Sequence, residues 1–227
     1  MKQFAPGVWR LKEFPAPTIN CYLAEDVLID AGRTWDRRRI FKEIEGRELS
    51  MLALTHVHPD HQGAAKDVCE ARGIPLACHA DDVDAMEGRR PVQEASADNP
   101  VNRFIARVWQ GPPYKVERIL NEGDEVAGFR VLHCPGHAPG LIALWRESDR
   151  LAIVSDVVYF VDSARLRALP EGEATVPHPA FAWNHQLAKE SLRKLAALEP
   201  ATVCAGHALP LRGGNLRETL EQAAEKY

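Results

Sequence analysis

The sequence predicts an α/β fold in which two β-sheets pack face to face and helices cover their outer surfaces. Strand-like apolar runs alternate with segments whose apolar residues recur at helical spacing, and this alternation occurs twice along the 227 residues. Hydrophobic residues make up 45% of the chain, which is enough to fill the cores of a layered fold.

The first half of the chain contains five strand-like segments separated by two predicted helices. A helix is expected to begin at a Thr34 cap and end at Gly46, because Ile40 and Ile44 lie on one helical face. A second helix is expected over about 61–72. The predicted strands are GVWRLK (7–12), NCYLAE (20–25), DVLIDAG (26–32), MLALT (51–55) and PLACHA (75–80).

The second half repeats this organisation. A helix is predicted from an Asn184 cap to about Leu198, with Leu187 and Leu192 facing the core, and NLRE (215–218) resembles a capping box for a terminal helix. The predicted strands are FRVLHCPG (129–136), LIALWRES (141–148), LAIVSD (151–156) and ATVCAGH (201–207).

Residues 84–118 interrupt the regular alternation. The segment contains several prolines, and VNRFIARVW (101–109) has apolar residues at helical spacing. No low-complexity linker divides the chain. We therefore expect one domain over 1–227 with a lid-like insertion around 84–118.

Composition excludes several classes of function. The net charge of -4 and a pI of about 6.1 argue against a nucleic-acid surface. No apolar run approaches the roughly 20 residues that a spanning helix needs, so no membrane partner is expected. The start, MKQFAPGVWRLKEF, lacks the apolar core of a signal peptide. The five scattered cysteines are expected to be buried and reduced, as is typical of a cytoplasmic protein.

Histidine and aspartate side chains collect at the C-terminal ends of four predicted strands. The stretch THVHPDHQG (55–63) follows one strand, and the other three strands end near a single histidine or aspartate each. Open sheets commonly place their functional sites at these ends. The residues concerned are His56, His58, Asp60, His61, His137, Asp156 and His207.

These residue types indicate a site for divalent transition metals. Imidazole suits zinc and iron, and carboxylates balance the charge. His56 and His58 are two residues apart, so both rings point to one side of an extended chain. Pro59 disfavours a helical conformation at His58. Seven ligands are too many for one tetrahedral ion and fit two ions.

With its motifs in the order DVLIDAG, HVHPDH, PGHAPG, SD and GH, nearly the whole chain resembles the metallo-β-lactamase superfamily. The resemblance implies a four-layer αββα sandwich with a dinuclear metal site at the edge of its two sheets. Members often carry glycine before the last aspartate of the site, where this chain has Ser155. We expect this substitution to have little effect on metal binding.

The resemblance also implies individual roles. Asp30 corresponds to an aspartate beneath the site that orients the histidine loop, and Asp60 would take a proton from water besides binding metal. Two divalent ions are expected, zinc by default, although iron or manganese would fit the same ligands. The implied ligands are His56, His58 and His137 for the first metal, Asp60, His61 and His207 for the second, and Asp156 as the bridge.

Other histidines and aromatic residues are candidates for a role at the site. His79 is predicted to be a surface histidine at the end of a strand, with support of the metal site as the alternative, and His133 is predicted to be structural. The substrate contacts predicted from the segment before the last long helix are Tyr159, His178, Trp183 and His185.

The function that the resemblance implies is hydrolysis of a small ester, lactone or thioester by a hydroxide that two metals activate. A glyoxalase II-type thioesterase is disfavoured because only 20 residues follow His207. The alternatives are a persulfide dioxygenase-like oxidoreductase with one iron, and a phosphodiesterase or nuclease of the same fold. The expected partner is a small-molecule substrate, and residues 84–118 could also form a homodimer surface.

Overall fold

The structure is a computed structural model that describes residues 1–12, 19–162, 167–170 and 172–226. The helices in these ranges are α1 (Arg37–Glu43), α2 (Pro59–Gln62), α3 (Ala65–Arg72), α4 (Val83–Met86), α5 (Pro100–Trp109), α6 (His185–Ala196) and α7 (Leu216–Ala224). The strands are β1 (Lys2–Ala5), β2 (Val8–Arg10), β3 (Tyr22–Ala24), β4 (Val27–Ile29), β5 (Met51–Ala53), β6 (Leu76–Cys78), β7 (Arg118–Ile119), β8 (Glu125–Val126), β9 (Phe129–His133), β10 (Ile142–Arg146), β11 (Leu151–Ser155), β12 (Val161–Asp162), β13 (Arg167–Ala168), β14 (Thr202–Ala205) and β15 (Leu211–Arg212).

Two mixed sheets form the centre of the fold. The first holds β1 to β7 in chain order; β1 to β4 are antiparallel neighbours and β4 to β7 run parallel. The second has the order β15-β14-β11-β10-β9-β8, with β11 and β14 parallel. Since parallel neighbours end at the same edge of their sheet, the loops after β4 and β5 lie together in the first sheet, and those after β11 and β14 lie together in the second.

Three apolar cores separate four layers. Because successive strand residues point to opposite faces, Ile29 joins the core between the two sheets whereas its neighbour Leu28 packs towards Ile40 of α1. A third core joins the outer face of the second sheet to Leu192 of α6 and Leu220 of α7. This arrangement confirms the predicted αββα sandwich.

Two helix boundaries differ from the prediction. Thr34 begins a short 3-10 turn rather than capping α1, because the Asp36 carboxylate accepts a hydrogen bond from the Arg33 backbone. The helix predicted over 61–72 is divided into α2 and α3 around Gly63. A side chain at Gly63 would meet the Arg33 backbone at 2.3 Å, so this position is a contact between two backbones.

The helix predicted after Asn184 is confirmed as α6. The Asn184 side chain accepts a hydrogen bond from the backbone N–H of Leu187, which satisfies an otherwise unpaired donor of the first turn. Leu192 is fully buried as predicted. Leu187 is only half-buried, so its predicted place in the core is wrong.

Residues 84–118 carry α5, which matches the helix predicted at 101–109. Their last residue, Arg118, begins β7, which joins the first sheet. None of the helices in the described ranges combines the length and apolar composition that crossing a bilayer requires. All five cysteines are buried and unpaired, as predicted.

Candidate metal centre

The loops that follow β5, β9, β11 and β14 meet and bring the seven predicted site residues together. These residues form three overlapping groups of potential metal ligands: His56, His58 and His137; Asp60, His61 and His207; and His56, His61 and Asp156. Within each group, the atoms that could bind a metal lie within 4.8 Å of one another.

Asp156 lies between the first two groups. Its Oδ2 atom is 3.4 Å from His137 Nε2 and 3.2 Å from His207 Nε2. Its Oδ1 atom is 3.6 Å from His61 Nε2. One buried carboxylate therefore contacts histidines of both groups, which is the position that a bridging ligand requires.

Two of the histidines are oriented by acceptors outside the cluster. His58 Nε2 donates to the Ala95 carbonyl oxygen at 3.0 Å, which leaves Nδ1 as the nitrogen that faces His137 at 2.8 Å. His61 Nδ1 donates to Asp30 Oδ2 at 2.9 Å and leaves Nε2 facing inwards. Histidines that bind metals typically donate their other ring N–H in this way.

His56 is oriented by Thr55. The Thr55 hydroxyl has one proton, and its neighbours include Asp30 Oδ2 at 2.8 Å and Ser155 Oγ at 2.8 Å. Its oxygen is 3.2 Å from His56 Nδ1 and accepts that ring N–H. His56 Nε2 is thereby left to face the cluster, and Asp30 supports both Thr55 and the histidine loop.

Several buried polar atoms of the cluster lack hydrogen-bond partners among the described residues. Leaving a buried polar group unsatisfied costs about 1–3 kcal/mol, so such a concentration requires an explanation. A bound cation provides one, because each orphaned atom is of a type that binds zinc, iron or manganese. The atoms that face the cluster are His56 Nε2, His61 Nε2 and Asp156 Oδ1.

The protonation tendencies also suit a metal. Burial, with the neighbouring imidazoles, lowers the pKa of His56 and His137 well below the usual value, so both rings are neutral. Burial opposes protonation of His207, but Asp156 and Asp60 outweigh it and raise its pKa to about 9. The cluster thus offers neutral imidazoles beside carboxylates that attract positive charge.

The loop that carries His207 is fixed by Asn20, which is fully buried. Its side-chain amide donates to the carbonyl oxygens of Ala205 at 2.8 Å and Ala208 at 2.6 Å, and its backbone N–H donates to that of Gly206 at 2.7 Å. The first sheet therefore positions a site residue that belongs to the second sheet.

The backbone near the cluster is unusual at three non-glycine residues. Asp30, Ser155 and Ala208 have φ values of 61°, 46° and 67°, and residues other than glycine rarely adopt this left-handed backbone conformation. Ser155 therefore keeps a conformation that glycine favours, and its hydroxyl accepts a hydrogen bond from Thr55. The substitution at this position is accommodated by a hydrogen bond inside the site.

Two of the predicted substrate contacts lie beside the cluster. Tyr159 is buried, and its hydroxyl donates to Asp156 Oδ2 at 2.9 Å. The backbone N–H of Trp183 donates to the His137 carbonyl oxygen at 3.0 Å, and 44% of the Trp183 surface is exposed. Contact with substrate stays a prediction for both residues.

The other two are placed by local structure. His178 Nδ1 accepts a hydrogen bond from the Ala180 backbone N–H, so this ring caps a short 3-10 turn. His185 is the first residue of α6. Their roles at the substrate also stay predictions.

A further group of His79, Asp81 and His133 lies outside the cluster. The two rings stack at a centroid distance of 3.8 Å and an angle of 15°, so their nitrogen lone pairs lie in nearly parallel planes and cannot converge on one ion. His133 Nε2 donates to the Pro139 carbonyl oxygen at 2.9 Å. The geometry fits the structural role predicted for His133. His79 is buried against this ring, so its predicted place on the surface is wrong.

Asp82 was not singled out from the sequence. It is completely buried, and its carboxylate accepts hydrogen bonds from the backbone N–H groups of Val57 at 3.1 Å and Gly140 at 3.0 Å. In the sequence it is one of several aspartates around position 82, and no spacing separates it from Asp81. Only the folded chain shows that it contacts two loops of the site.

Residues 15–207 match the family model of the Metallo-beta-lactamase superfamily. The chain belongs to the metallo-beta-lactamase superfamily. The resemblance stated from the motifs is therefore confirmed, and so is the sandwich fold that it implied.

Several members of the superfamily are similar over much of their length. A probable metallo-hydrolase, YflN of Bacillus subtilis, is 28% identical over 215 residues, which cover 88% of this chain and 81% of that protein. A hydroxyacylglutathione hydrolase of Cereibacter sphaeroides is 30% identical over 184 residues, covering 79% of this chain but only 56% of that protein. The protein TTHA1623, solved in a di-iron-bound form, matches with a TM-score of 0.68 and 27% identity over 93% of this chain and 98% of its own.

Proposed function

We propose that this protein is a metal-dependent hydrolase that cleaves a small ester, lactone or thioester. The observation that carries the proposal is the position of Asp156 between two groups of potential ligands. Within this cluster, His56 Nε2, His61 Nε2 and Asp156 Oδ1 lack a hydrogen-bond partner in the described part of the chain. Superfamily membership and the similarity to a probable metallo-hydrolase support it.

The residues fit two divalent ions. His56, His58 and His137 would hold one, and Asp60, His61 and His207 the other, with Asp156 shared. When bound, such ions lower the pKa of water and polarise a substrate carbonyl. We propose zinc as the metal, with iron as the alternative because TTHA1623 was solved in a di-iron-bound form.

Asp60 is proposed as the general base. Its side chain is 15% exposed, whereas those of Asp30 and Asp156 are 3% and 2% exposed, so Asp60 is the carboxylate of the three that an entering water can reach. Its Oδ2 is 3.6 Å from His207 Nε2. Asp60 takes one proton from water while the water oxygen bonds to the carbonyl carbon. The bond from that carbon to the alkoxide oxygen or thiolate sulfur then breaks, and Asp60 returns the proton to the leaving group.

Tyr159 and residues 84–118 are proposed to shape the site. Tyr159 keeps Asp156 oriented through its hydroxyl. The Ala95 carbonyl contacts His58, and the Asn99 side chain donates to the Ala180 carbonyl oxygen at 2.7 Å. The insertion would therefore form one wall of the substrate pocket. The homodimer stays a prediction.

The thioester class is included because hydroxyacylglutathione hydrolases are among the relatives. This chain spans only 56% of the length of the Cereibacter protein, so a preference for the glutathione portion is not part of the proposal.

The experiment has two stages. Protein purified without chelator is analysed for bound metals, with about two per chain expected. It is then assayed against thioesters, lactones, simple esters, phosphodiesters and a persulfide. Hydrolysis of a carboxylic ester, lactone or thioester supports the proposal. A metal-loaded protein inactive on all three classes contradicts it, and one iron with oxygen consumption on the persulfide would show an oxidoreductase instead.

A matched pair of variants links the activity to the site. His56→Ala is expected to abolish hydrolysis, because it removes a ligand from the cluster without disturbing an apolar core. His133→Ala, which removes a histidine outside the cluster, is expected to retain activity. If both variants hydrolysed the substrate at the wild-type rate, the cluster would not perform the reaction.

A further inference from the structure

Asp82 is a buried carboxylate that has no role in the proposed reaction. It lies in the turn after β6 with none of its surface exposed. Burial raises its pKa to about 7. Burying a carboxylate costs several kcal/mol, and a neutral side chain would fill this space at lower cost if packing were its whole purpose.

The two hydrogen bonds that Asp82 accepts come from separate loops. Val57, which donates to Oδ2 at 3.1 Å, stands between His56 and His58. Gly140, which donates to Oδ1 at 3.0 Å, lies on the loop that carries His137. One carboxylate thus joins the two chain segments that supply all three histidines of one group.

Gly140 is matched to this carboxylate. A Cβ atom at position 140 would lie 2.4 Å from Asp82 Cγ and 2.6 Å from Oδ1, and real Cβ atoms are essentially never found this close to another atom. The backbone N–H can reach Asp82 only because position 140 has no side chain. The glycine and the aspartate therefore form one structural unit.

Asp30 performs the corresponding task elsewhere in the cluster. Its carboxylate accepts hydrogen bonds from the Thr55 backbone N–H at 2.8 Å and from His61 Nδ1 at 2.9 Å. His61 belongs to the second group of ligands. Asp30 thus acts through His61 and through Thr55, which orients His56, whereas Asp82 acts through the backbones of Val57 and Gly140.

We propose that Asp82 is a positioning residue that sets the spacing of His56, His58 and His137 through the backbones of Val57 and Gly140, and so controls the affinity of the first metal. It contacts neither metal nor substrate. The inference rests on the metal-binding role proposed above for the three histidines.

Asp82→Asn is the decisive variant. The amide has nearly the same shape but only one acceptor oxygen, so one of the two backbone N–H groups would face another donor. An unsatisfied buried donor costs about 1–3 kcal/mol, which corresponds to roughly 5- to 150-fold in a binding constant. We expect the loss in affinity for one of the two metals only.

The assay titrates chelator-treated full-length protein with Co(II) at pH 8 and follows the visible absorption. Wild-type protein is expected to bind two equivalents. Asp82→Asn should bind one equivalent with unchanged affinity and the other at least 10-fold more weakly. Circular dichroism verifies that the variant is folded. If it is not, Gly140→Ala tests the same unit from its other side, with the same expected loss.

Two comparison variants sharpen the result. Asp81→Asn, which changes an exposed neighbour, should titrate like wild type. Asp30→Asn should weaken both metals, because Asp30 accepts a hydrogen bond from His61 and also supports Thr55, which orients His56. Asp82→Asn should weaken only one of them.

The proposal is overturned if Asp82→Asn binds both equivalents with wild-type affinity or loses both equally. Wild-type protein that binds no Co(II) overturns this inference together with the proposed metal site. Because the titration needs no substrate, a wild type that binds two equivalents but hydrolyses nothing would contradict the proposed activity and leave the role of Asp82 standing.

Discussion

Gly206 offers the sharpest test of the site geometry, because it precedes His207 and packs against Asp156. A Cβ atom at this position would lie 2.1 Å from Asp156 Oδ1 and 3.0 Å from His61 Cε1. The first distance is 0.9 Å short of the 3.0 Å below which real Cβ atoms are essentially never found. In Gly206→Ala, the Asp156 carboxylate or the His207 loop must therefore move by about 1 Å.

A displacement of about 1 Å at a reacting centre costs on the order of 100-fold in rate. We expect Gly206→Ala to lose that much hydrolytic activity and part of its bound metal. Metal analysis, Co(II) titration and the hydrolase assay measure the effect. A variant with the metal content and activity of wild type would show that Asp156 does not hold the predicted bridging position.

Gly46→Ala is the control for this substitution. Gly46 ends the α1 region with a φ of 69°, and nothing lies within 4 Å of an added Cβ atom. Alanine there should cost about 1 kcal/mol of stability through backbone strain and leave metal binding unchanged. Loss of metal from both variants would trace the effect to general destabilisation.

Three further outcomes are expected. Tyr159→Phe removes the donor to Asp156 and should lower the free energy of unfolding by about 2 kcal/mol in urea, with the metal content unchanged; lost metal would place Tyr159 among the groups essential for binding. In chelator-treated protein, the pKa of His207 is raised from 6.5 to about 9, so its stabilisation is complete below pH 6.5 and is lost as the pH rises through 9. Thermal melts should show the free energy of unfolding falling by up to about 3 kcal/mol over this pH range. Added zinc should reverse the fall, because it binds the deprotonated ring. A free energy of unfolding that does not change with pH would contradict the His207–Asp156 pairing. Because burial raises the pKa of thiols such as Cys21 and Cys134 to about 12, the native protein should resist a thiol reagent that titrates five thiols after unfolding, and rapid labelling before unfolding would be the contrary result.

Much of the fold follows from local pattern. Buried strands such as β5 and β11 appear in the sequence as continuous apolar runs, and α6 is announced by its Asn184 cap and by leucines at helical spacing. The edge strands β1, β7 and β15 were not predicted, because they are two to four residues long and partly exposed, and so carry little apolar periodicity.

The helix boundaries that were predicted wrongly depend on contacts between distant segments. Gly63 separates α2 from α3 because the backbone at Arg33 lies against it, and that contact requires the loop after β4 to fold over the histidine loop. The sequence alone does not reveal this interruption, because the contact joins Gly63 to a residue 30 positions earlier in the chain.

Local sequence patterns were enough to predict the layered fold, the superfamily and the seven residues that come together, because each of the seven follows a strand and carries a side chain of metal-binding type. Their binding of metal remains a prediction. The side chains that orient these seven residues became visible only in the folded chain. Asp82, Asn20 and Thr55 act through hydrogen bonds to loops far away in sequence, and glycines 140 and 206 matter because other segments pack directly on them. Such contacts arise from the packing of one sheet on the other, which leaves no periodic trace in the chain.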